Sequence, residues 1–308
     1  ESVEPEKKRS KPTLNFLQRH FHLAQRSVAS KGYFETITWS FADEKNNNNF
    51  RENIQEVKII NPISSDLNVL RSSLYPNLIL FLKKNIDRGF ETQSLFEIGP
   101  LFVGKKPGQQ MTIICGVRKE NQLNIYDIKK DVVQTLVELG IDKNETRIST
   151  KTPGYYHPGR SGSIMTKNNQ KLLAYFGQIH PKIINNVHGF EIFLENLVQY
   201  KSQNKKEKPT ITFSDYQKSE RDFAFVVQKD FQAQDLLEII LSVDKSLVKN
   251  VKIFDVYEGQ NIPEDKKSIA LKVTIQSDFK TLNEKDLNEI SQKIISNVEE
   301  KANAKLRS

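Results

Sequence analysis

Few residues in this 308-residue chain have the type and spacing for covalent chemistry. The stretch GPLFVGKK (99–106) comes close to the G-x-x-x-x-G-K-S/T loop that wraps phosphates in backbone N–H groups. Lys106, however, stands where a metal-binding hydroxyl is required, and the KPGQQ that follows cannot open the helix such a loop needs. His20 and His22 lie two apart in a helical stretch, so they point apart and cannot grip one metal ion. Five histidines and one cysteine offer no zinc spacing. Cys115, inside MTIICGV, reads as a buried strand thiol, and His157, in the turn-rich YYHPGRSG, reads as structural rather than as a general base. Carboxylates are dispersed, with no assignable pair. Recognition chemistry is better represented. IFDVYEG (253–259) sets Asp255 inside a run of strand formers, where alternation puts Ile253, Asp255 and Tyr257 on one face and Phe254 and Val256 on the other. Lys249, Lys252, Lys266, Lys267 and Lys272 surround it in sequence, and an open sheet carrying cations and an aromatic ring can serve as an RNA platform. An RRM reading fails, because strand 266–276 has no Phe, Tyr or Trp on which a base could stack.

Bulk properties narrow the classes. The length suggests about two domains. The hydrophobic fraction of 37% and the charged fraction of 27% describe a globular chain with a wet surface. No apolar run approaches the roughly 20 residues a membrane span needs, and nothing at the N-terminus resembles a signal peptide. A single cysteine allows no internal disulfide, so a reducing, cytoplasmic setting is expected. The net charge of +8 is uneven: residues 213–308 hold 15 Lys and Arg against 17 Asp and Glu, a net of −2, leaving +10 on residues 1–212. A first residue of Glu rather than Met suggests a piece of something longer.

The elements that must position these groups follow from periodicity. Residues 1–11, with Lys7, Lys8 and Arg9, read as a charged leader. Leu14, Leu17, Phe21, Ala24 and Val28 recur at helical spacing within 12–31; YFETITWSF (33–41) reads as a strand, the asparagines at 46–49 as a loop, and VKIINPI (57–63) as a second strand. A helix is expected over 66–88, strands over 93–103 and 111–117, a helix over 125–140 and a strand over 171–180. This mixture implies an antiparallel sheet with helices against it, spanning 12–200. KSQNKKEKP within 201–212 has no apolar residue and reads as a linker. Residues 213–308 then read as strand 221–227, helix 232–243, strands 248–257 and 266–276, helix 283–302 and a short strand over 304–307, the ferredoxin-like β-α-β-β-α-β order. Thr281 and Glu284 have capping-box spacing. Ile269, Leu271, Val273 and Ile275 must face the helices, leaving Ser268, Ala270, Lys272 and Thr274 on an outward face.

These segments carry a family resemblance over nearly the whole chain. RDFAFVV, VKIFDVYEGQNIPEDKKSIALKVTIQ and KTLNEKDLNEI resemble the C-terminal ferredoxin-fold anticodon-binding domain of bacterial-type phenylalanyl-tRNA synthetase beta subunits. GYFETITWSF, NPISSDLNVLRSSLYPNLI, LFEIG and HPGRSG resemble the catalytic-like domain of the same subunit. The implied fold class is α+β: a non-catalytic, class II synthetase-like antiparallel sheet domain followed by the ferredoxin-like domain.

The resemblance carries expectations about function. Class II synthetases use a strand of the form aromatic-E-I-G-x-x-F-R-x-E whose arginine neutralises ATP phosphate charge; here Phe96, Glu97, Ile98, Gly99 and Phe102 are kept, but Val103 stands in the arginine's place. The third class II motif needs an arginine after a glycine-rich turn, and none occurs between Arg160 and Arg221. A synthetase fold without adenylation chemistry is therefore expected, with no catalytic residue, metal or cofactor held by this chain. In the family, ATP and magnesium are used by the full complex, an (αβ)2 heterotetramer in which the alpha subunit makes the adenylate and tRNA(Phe) is charged. The family's editing and other N-terminal beta domains, and its magnesium-binding beta residues, precede the region matched here. Helix 12–31 and strand 33–41 resemble the class II dimer-forming motif, which marks Leu17, Phe21, Phe34 and Trp39 as candidates for contact with the alpha subunit. Candidate anticodon contacts are Arg221, Asp222, Lys252, Asp255, Tyr257, Lys267, Ser268 and Lys272. Among these, a carboxylate accepts hydrogen bonds from base amino or imino groups and the tyrosine ring can stack on an unpaired base; alternatively Asp222 and Asp255 tie strands together through Arg221 or a lysine. Two further readings are a self-sufficient class II ATP-using ligase and a free-standing ferredoxin-like RNA-binding scaffold.

Overall fold

A computed structural model describes residues 13–52, 54–167, 171–201 and 213–307. The leader and most of the 201–212 linker, including Lys205, Lys206 and Lys208, lie outside the described residues. The chain divides into two compact units, 1–206 and 207–308.

In the first unit, α1 (Phe16–Ala29) starts on a reciprocal cap between Asn15 and Gln18. Its stripe is core only toward its C-terminal end, where Ala24 and Val28 are buried. The expected strand at 33–41 is only β1 (Phe34–Glu35) and β2 (Phe41–Ala42), because Thr36 and Thr38 between them turn their hydroxyls to the Phe96 carbonyl and the Glu97 carboxylate instead of extending a ladder. The asparagine run is not a loop: α2 (Glu44–Asn48) forms because the Asp43 side chain caps it and buried Asn47 accepts from the Ser72 backbone. The expected strand at 57–63 reduces to one bridge, Lys58 to Val69, with Ile60 and Ile63 left in solvent. β3 (Val69–Leu70) takes part of the stretch expected to be helical, so α3 is Tyr75–Ile86, opened by Pro76.

A seven-stranded sheet follows. β4 (Gln93–Phe102), β5 (Gln110–Lys119), β6 (Thr146–Ser149), β7 (Tyr156–Thr166), β8 (Leu172–Ile179) and β9 (His188–Phe193) join β1 in the order β1-β4-β5-β9-β8-β7-β6, antiparallel except where β1 runs parallel to β4. β6, β7 and β9 were not expected. All of YYHPGRSG after Tyr155 belongs to β7, where a register irregularity between Tyr156 and Ser161 absorbs Pro158 and Gly159. α1 and α4 (Ile125–Glu138) cover one face through Phe96, Ile98, Ile114, Phe190 and Ile192; α3 covers the other through Leu74, Tyr75, Leu78 and Leu82. α5 (Leu194–Lys201) closes the unit. The hairpin after β4 also disposes of the phosphate-loop resemblance, since Gly99 lies within β4 and Gly104 in the turn, with β5 and no helix following.

The second unit has β10 (Ser219–Gln228), α6 (Ala233–Val243), β11 (Val248–Tyr257), β12 (Lys266–Ile275), α7 (Glu284–Ala302) and β13 (Lys305–Leu306), in sheet order β11-β12-β10-β13. Phe223, Phe225, Val227, Ile269, Leu271, Val273 and Ile275 bury against Leu236, Ile240, Leu287, Ile290 and Ile294. α7 starts on Asn283 with Asp286 as the reciprocal cap, displacing the expected Thr281–Glu284 pair by two residues.

Candidate functional site

Two places combine polar groups with a sheet face. In the first unit the registers align Glu97, Cys115, Glu191 and Tyr175 in one row across β4, β5, β9 and β8. This row is sealed. Arg71, 2% exposed, lays its guanidinium against Gly99, where any Cβ would collide with it, and pairs with Glu97 at 2.7 Å. It also donates to the Pro100 carbonyl and the Thr38 hydroxyl, both at 3.0 Å. Tyr155 donates to Glu191 at 2.8 Å, and the Tyr75 and Tyr156 hydroxyls meet at 2.5 Å. Gly189 admits Tyr75, whose hydroxyl oxygen would lie 2.6 Å from a Cβ there. Burial pushes the Glu191 carboxyl up to about 7, against the pull of the tyrosine hydrogen bonds, and burial likewise raises the Cys115 thiol. Cys115 is thus the inert thiol expected. Val103 donates its N–H to Gln109 in the hairpin. The sheet does receive one guanidinium, which sequence reasoning missed, but its charge is already neutralised and enclosed. His157 is held structurally, its Nδ1 accepting from the Gly159 N–H.

The expected interface residues divide. Phe21 is half-buried against the core, Leu17 is exposed, and Phe34 and Trp39 are 73% and 60% exposed. Ile37, 91% exposed, joins them on the segment that Thr36 and Thr38 pin to β4.

In the second unit a β-bulge corrects the expected alternation. Ile253 pairs with Leu271 but Asp255 pairs with Ala270, so Phe254 is the extra residue. Ile253 therefore packs into the core, whereas Asp255 and Tyr257 join Lys252 on the outward face. That face also carries Ala270, Lys272 and Thr274 from β12 and Asp222, Ala224 and Val226 from β10. Asp222, Lys252, Asp255, Tyr257 and Lys272 are thus brought together. Arg221 and Lys267 are not: they pair with core-facing Val273 and Val227, so they lie on the helix side, where Arg221 bonds Glu284 at 2.9 Å. Ser268 faces outward yet is only 2% exposed. Lys272 pairs with Glu220 at 3.2 Å, and that hydrogen bond, with the charge of Asp222, raises its pKa. Among the described residues Lys252 and Asp255 have no ion-pair partner, so Asp255 does not act as a strand tie. One further residue reaches this face: the Arg307 guanidinium lies 5.2 Å from the Tyr257 ring centroid. Lys305 and Arg307 alternate on β13 and its extension, and that period was the available signal.

Among the described residues no three His, Cys, Asp or Glu side chains gather as a metal site, and no helix is long and apolar enough to cross a membrane.

Comparison with known proteins agrees with this division. Residues 1–191 match the family described as phenylalanyl tRNA synthetase beta chain CLM domain, and residues 214–307 the ferredoxin-fold anticodon binding domain. The phenylalanine-tRNA ligase beta subunits of Paramagnetospirillum magneticum and Bradyrhizobium diazoefficiens are each 35% identical to the chain over 96% of its residues. The chain spans 39% of the length of these relatives. A pyrrolysyl tRNA synthetase from Desulfitobacterium hafniense superposes with a TM-score of 0.50 at 16% identity, covering 62% of this chain and 70% of that one, a likeness of fold alone. With a family match across most of the first unit and an anticodon-binding match across the second, the chain belongs to the phenylalanyl-tRNA synthetase beta chain family.

Proposed function

We propose that the chain serves a phenylalanine-tRNA ligase as a non-catalytic part of its beta subunit. The first unit supports a catalytic alpha subunit within an (αβ)2 heterotetramer, using exposed Phe34, Ile37 and Trp39 with Leu17. The second unit positions tRNA(Phe) for ATP-dependent phenylalanylation in the cytoplasm, with ATP and magnesium used by the full complex and not held by this chain. The observation that carries this reading is the open sheet face, where an unpaired carboxylate, Asp255, stands two residues from an exposed tyrosine inside a domain matching anticodon-binding modules. The acceptor oxygens suit base amino and imino donors and the ring suits an unpaired base. The slight negative charge of this unit makes its contact local and leaves most phosphate attraction to other parts of the complex. The sealed row beneath α3 supports the non-catalytic role, because an enclosed Arg71 already paired with Glu97 offers nothing to a nucleotide phosphate.

The test is to assay the chain with and without its alpha subunit. Pyrophosphate exchange should require the alpha subunit, and Asp255→Ala should weaken tRNA(Phe) binding by the assembled enzyme while leaving adenylate formation intact. Exchange by the chain alone would overturn the division of labour.

A further inference from the structure

A cleft of about 230 Å³ opens on the first unit between α2, α3 and the turn that joins β8 to β9. Its floor is apolar, formed by Phe50, Pro76, Ile79 and Ile183. Phe50 and Ile79 are buried and belong to the core, so the floor is fixed in place. The elements that frame the cleft are held from behind. On α2 the Asn47 side-chain oxygen accepts from the Ser72 N–H at 3.0 Å and from its hydroxyl at 3.2 Å, while Asn46 and Asn49, three apart, line the opening. In the turn, the His180 carbonyl accepts from the Ile183 N–H at 2.9 Å and the His180 ring from the Lys182 N–H at 3.2 Å. On α3, Pro76, Ile79 and Lys83 fall at helical spacing on one face. Lys83 and Lys182 thus stand on two sides of the same cleft. Among the described residues neither has an ion-pair partner, and the side-chain amides of Asn46 and Asn49 make no hydrogen bond.

We propose that this cleft binds a small carboxylate with an aromatic or branched apolar body, the class to which phenylalanine belongs. Size sets the upper limit, because the cleft falls below the roughly 300 Å³ at which sites for drug-sized ligands begin and so takes one compact apolar group. Charge sets the sign. Two ammonium groups line the cleft and none of its lining residues is acidic, so it attracts an anion. Both cations share the wall of one short cleft with the apolar floor, which suits a carboxylate attached directly to its apolar body better than charges spread along the surface of a protein partner. The carboxylate accepts hydrogen bonds from Lys83 and Lys182, the body covers Phe50, Ile79 and Ile183, and the side-chain oxygens of Asn46 and Asn49 accept from an α-ammonium. Covering the floor supplies affinity, and the two lysines select against a ligand without the carboxylate. The cleft is also tied to the exposed strip around Trp39. Asn77, next to Pro76 on α3, donates to the Trp39 carbonyl at 3.0 Å, so a ligand that bridges α2 and α3 steadies that strip as well. Only this last link rests on the proposed function: there, the substrate amino acid steadies the surface that meets the alpha subunit.

The test titrates the full chain, without an alpha subunit, by saturation-transfer NMR with three probes: L-phenylalanine, hydrocinnamate, which lacks the ammonium group, and phenethylamine, which lacks the carboxylate. Phenylalanine and hydrocinnamate should bind, and phenethylamine should bind at least about tenfold more weakly. Lys83→Ala and Lys182→Ala should each weaken phenylalanine binding about fivefold while leaving the Tm of the ligand-free chain unchanged, since both side chains are exposed. Equal binding of phenethylamine and phenylalanine would overturn the carboxylate assignment. Phenylalanine binding that both lysine variants leave intact would place the ligand elsewhere and overturn the cleft; if ATP also strengthened that binding, the non-catalytic reading of the chain would fall with it. Binding of an aromatic peptide flanked by acidic residues, with no binding of either small acid, would assign the cleft to a protein partner and overturn the proposal.

Discussion

Arg71 and Arg307 each lie across a sheet, and their opposite surroundings separate the two units. Arg71 is enclosed, with Glu97, a carbonyl and a hydroxyl consuming its donors, so its charge organises the interior. Arg307 is exposed, with its guanidinium 5.2 Å from the centroid of the Tyr257 ring. The same contrast holds for carboxylates: Glu191 is walled in by Tyr155 and Tyr156, whereas Asp255 faces solvent without a cation. A sheet face covered by a helix must pair its polar groups, whereas an open face can leave them to solvent.

The largest effect should come from splitting the buried pair. Arg71→Ala leaves Glu97 buried without its cation, which costs about 3–5 kcal/mol and should show as a large fall in denaturant midpoint. An Arg71→Met, Glu97→Leu double variant should recover most of that loss; if it does not, the pair is more than an internal brace. Next is the pH response of the first unit. The folded carboxyl of Glu191 is raised from an ordinary 4.5 to about 7, so the folded state holds the proton more tightly. Its favourable contribution is complete below pH 4.5 and is lost as pH rises through 7, an effect of about 3 kcal/mol. Glu191→Gln should flatten Tm across that window and raise it at pH 8 relative to the parent chain. The smallest effect distinguishes the faces of the second unit. Lys252→Ala, on the outward face, should weaken RNA binding modestly and lower the salt slope by about 1, whereas Lys267→Ala, on the helix side, should change neither. Equal losses from both would mean that charge rather than the sheet face does the binding.

Where apolar period and turn residues agree, elements were legible to within a residue or two, as with β11, β12, α6 and α7. They were illegible where side chains override propensity: the Asp43 and Asn47 contacts make a helix of an asparagine run, and Thr36 and Thr38 break a strand whose composition is ideal for one. The candidate anticodon face was half legible. Asp255 and Tyr257 stood out by type, but Arg221 and Lys267 were assigned to it although register sends them to the other side.

By itself the sequence determined the order of elements over residues 213–308, the family, and the absence of an arginine at Val103, because each is a property of local period or of residues in a motif. Only the tertiary structure decided which side chains share a face. One extra residue at Phe254 moves Ile253 and Asp255 to opposite sides, and Arg307 meets Tyr257 across two intervening strands. Both outcomes depend on pairing between distant segments, which periodicity along a single strand does not encode.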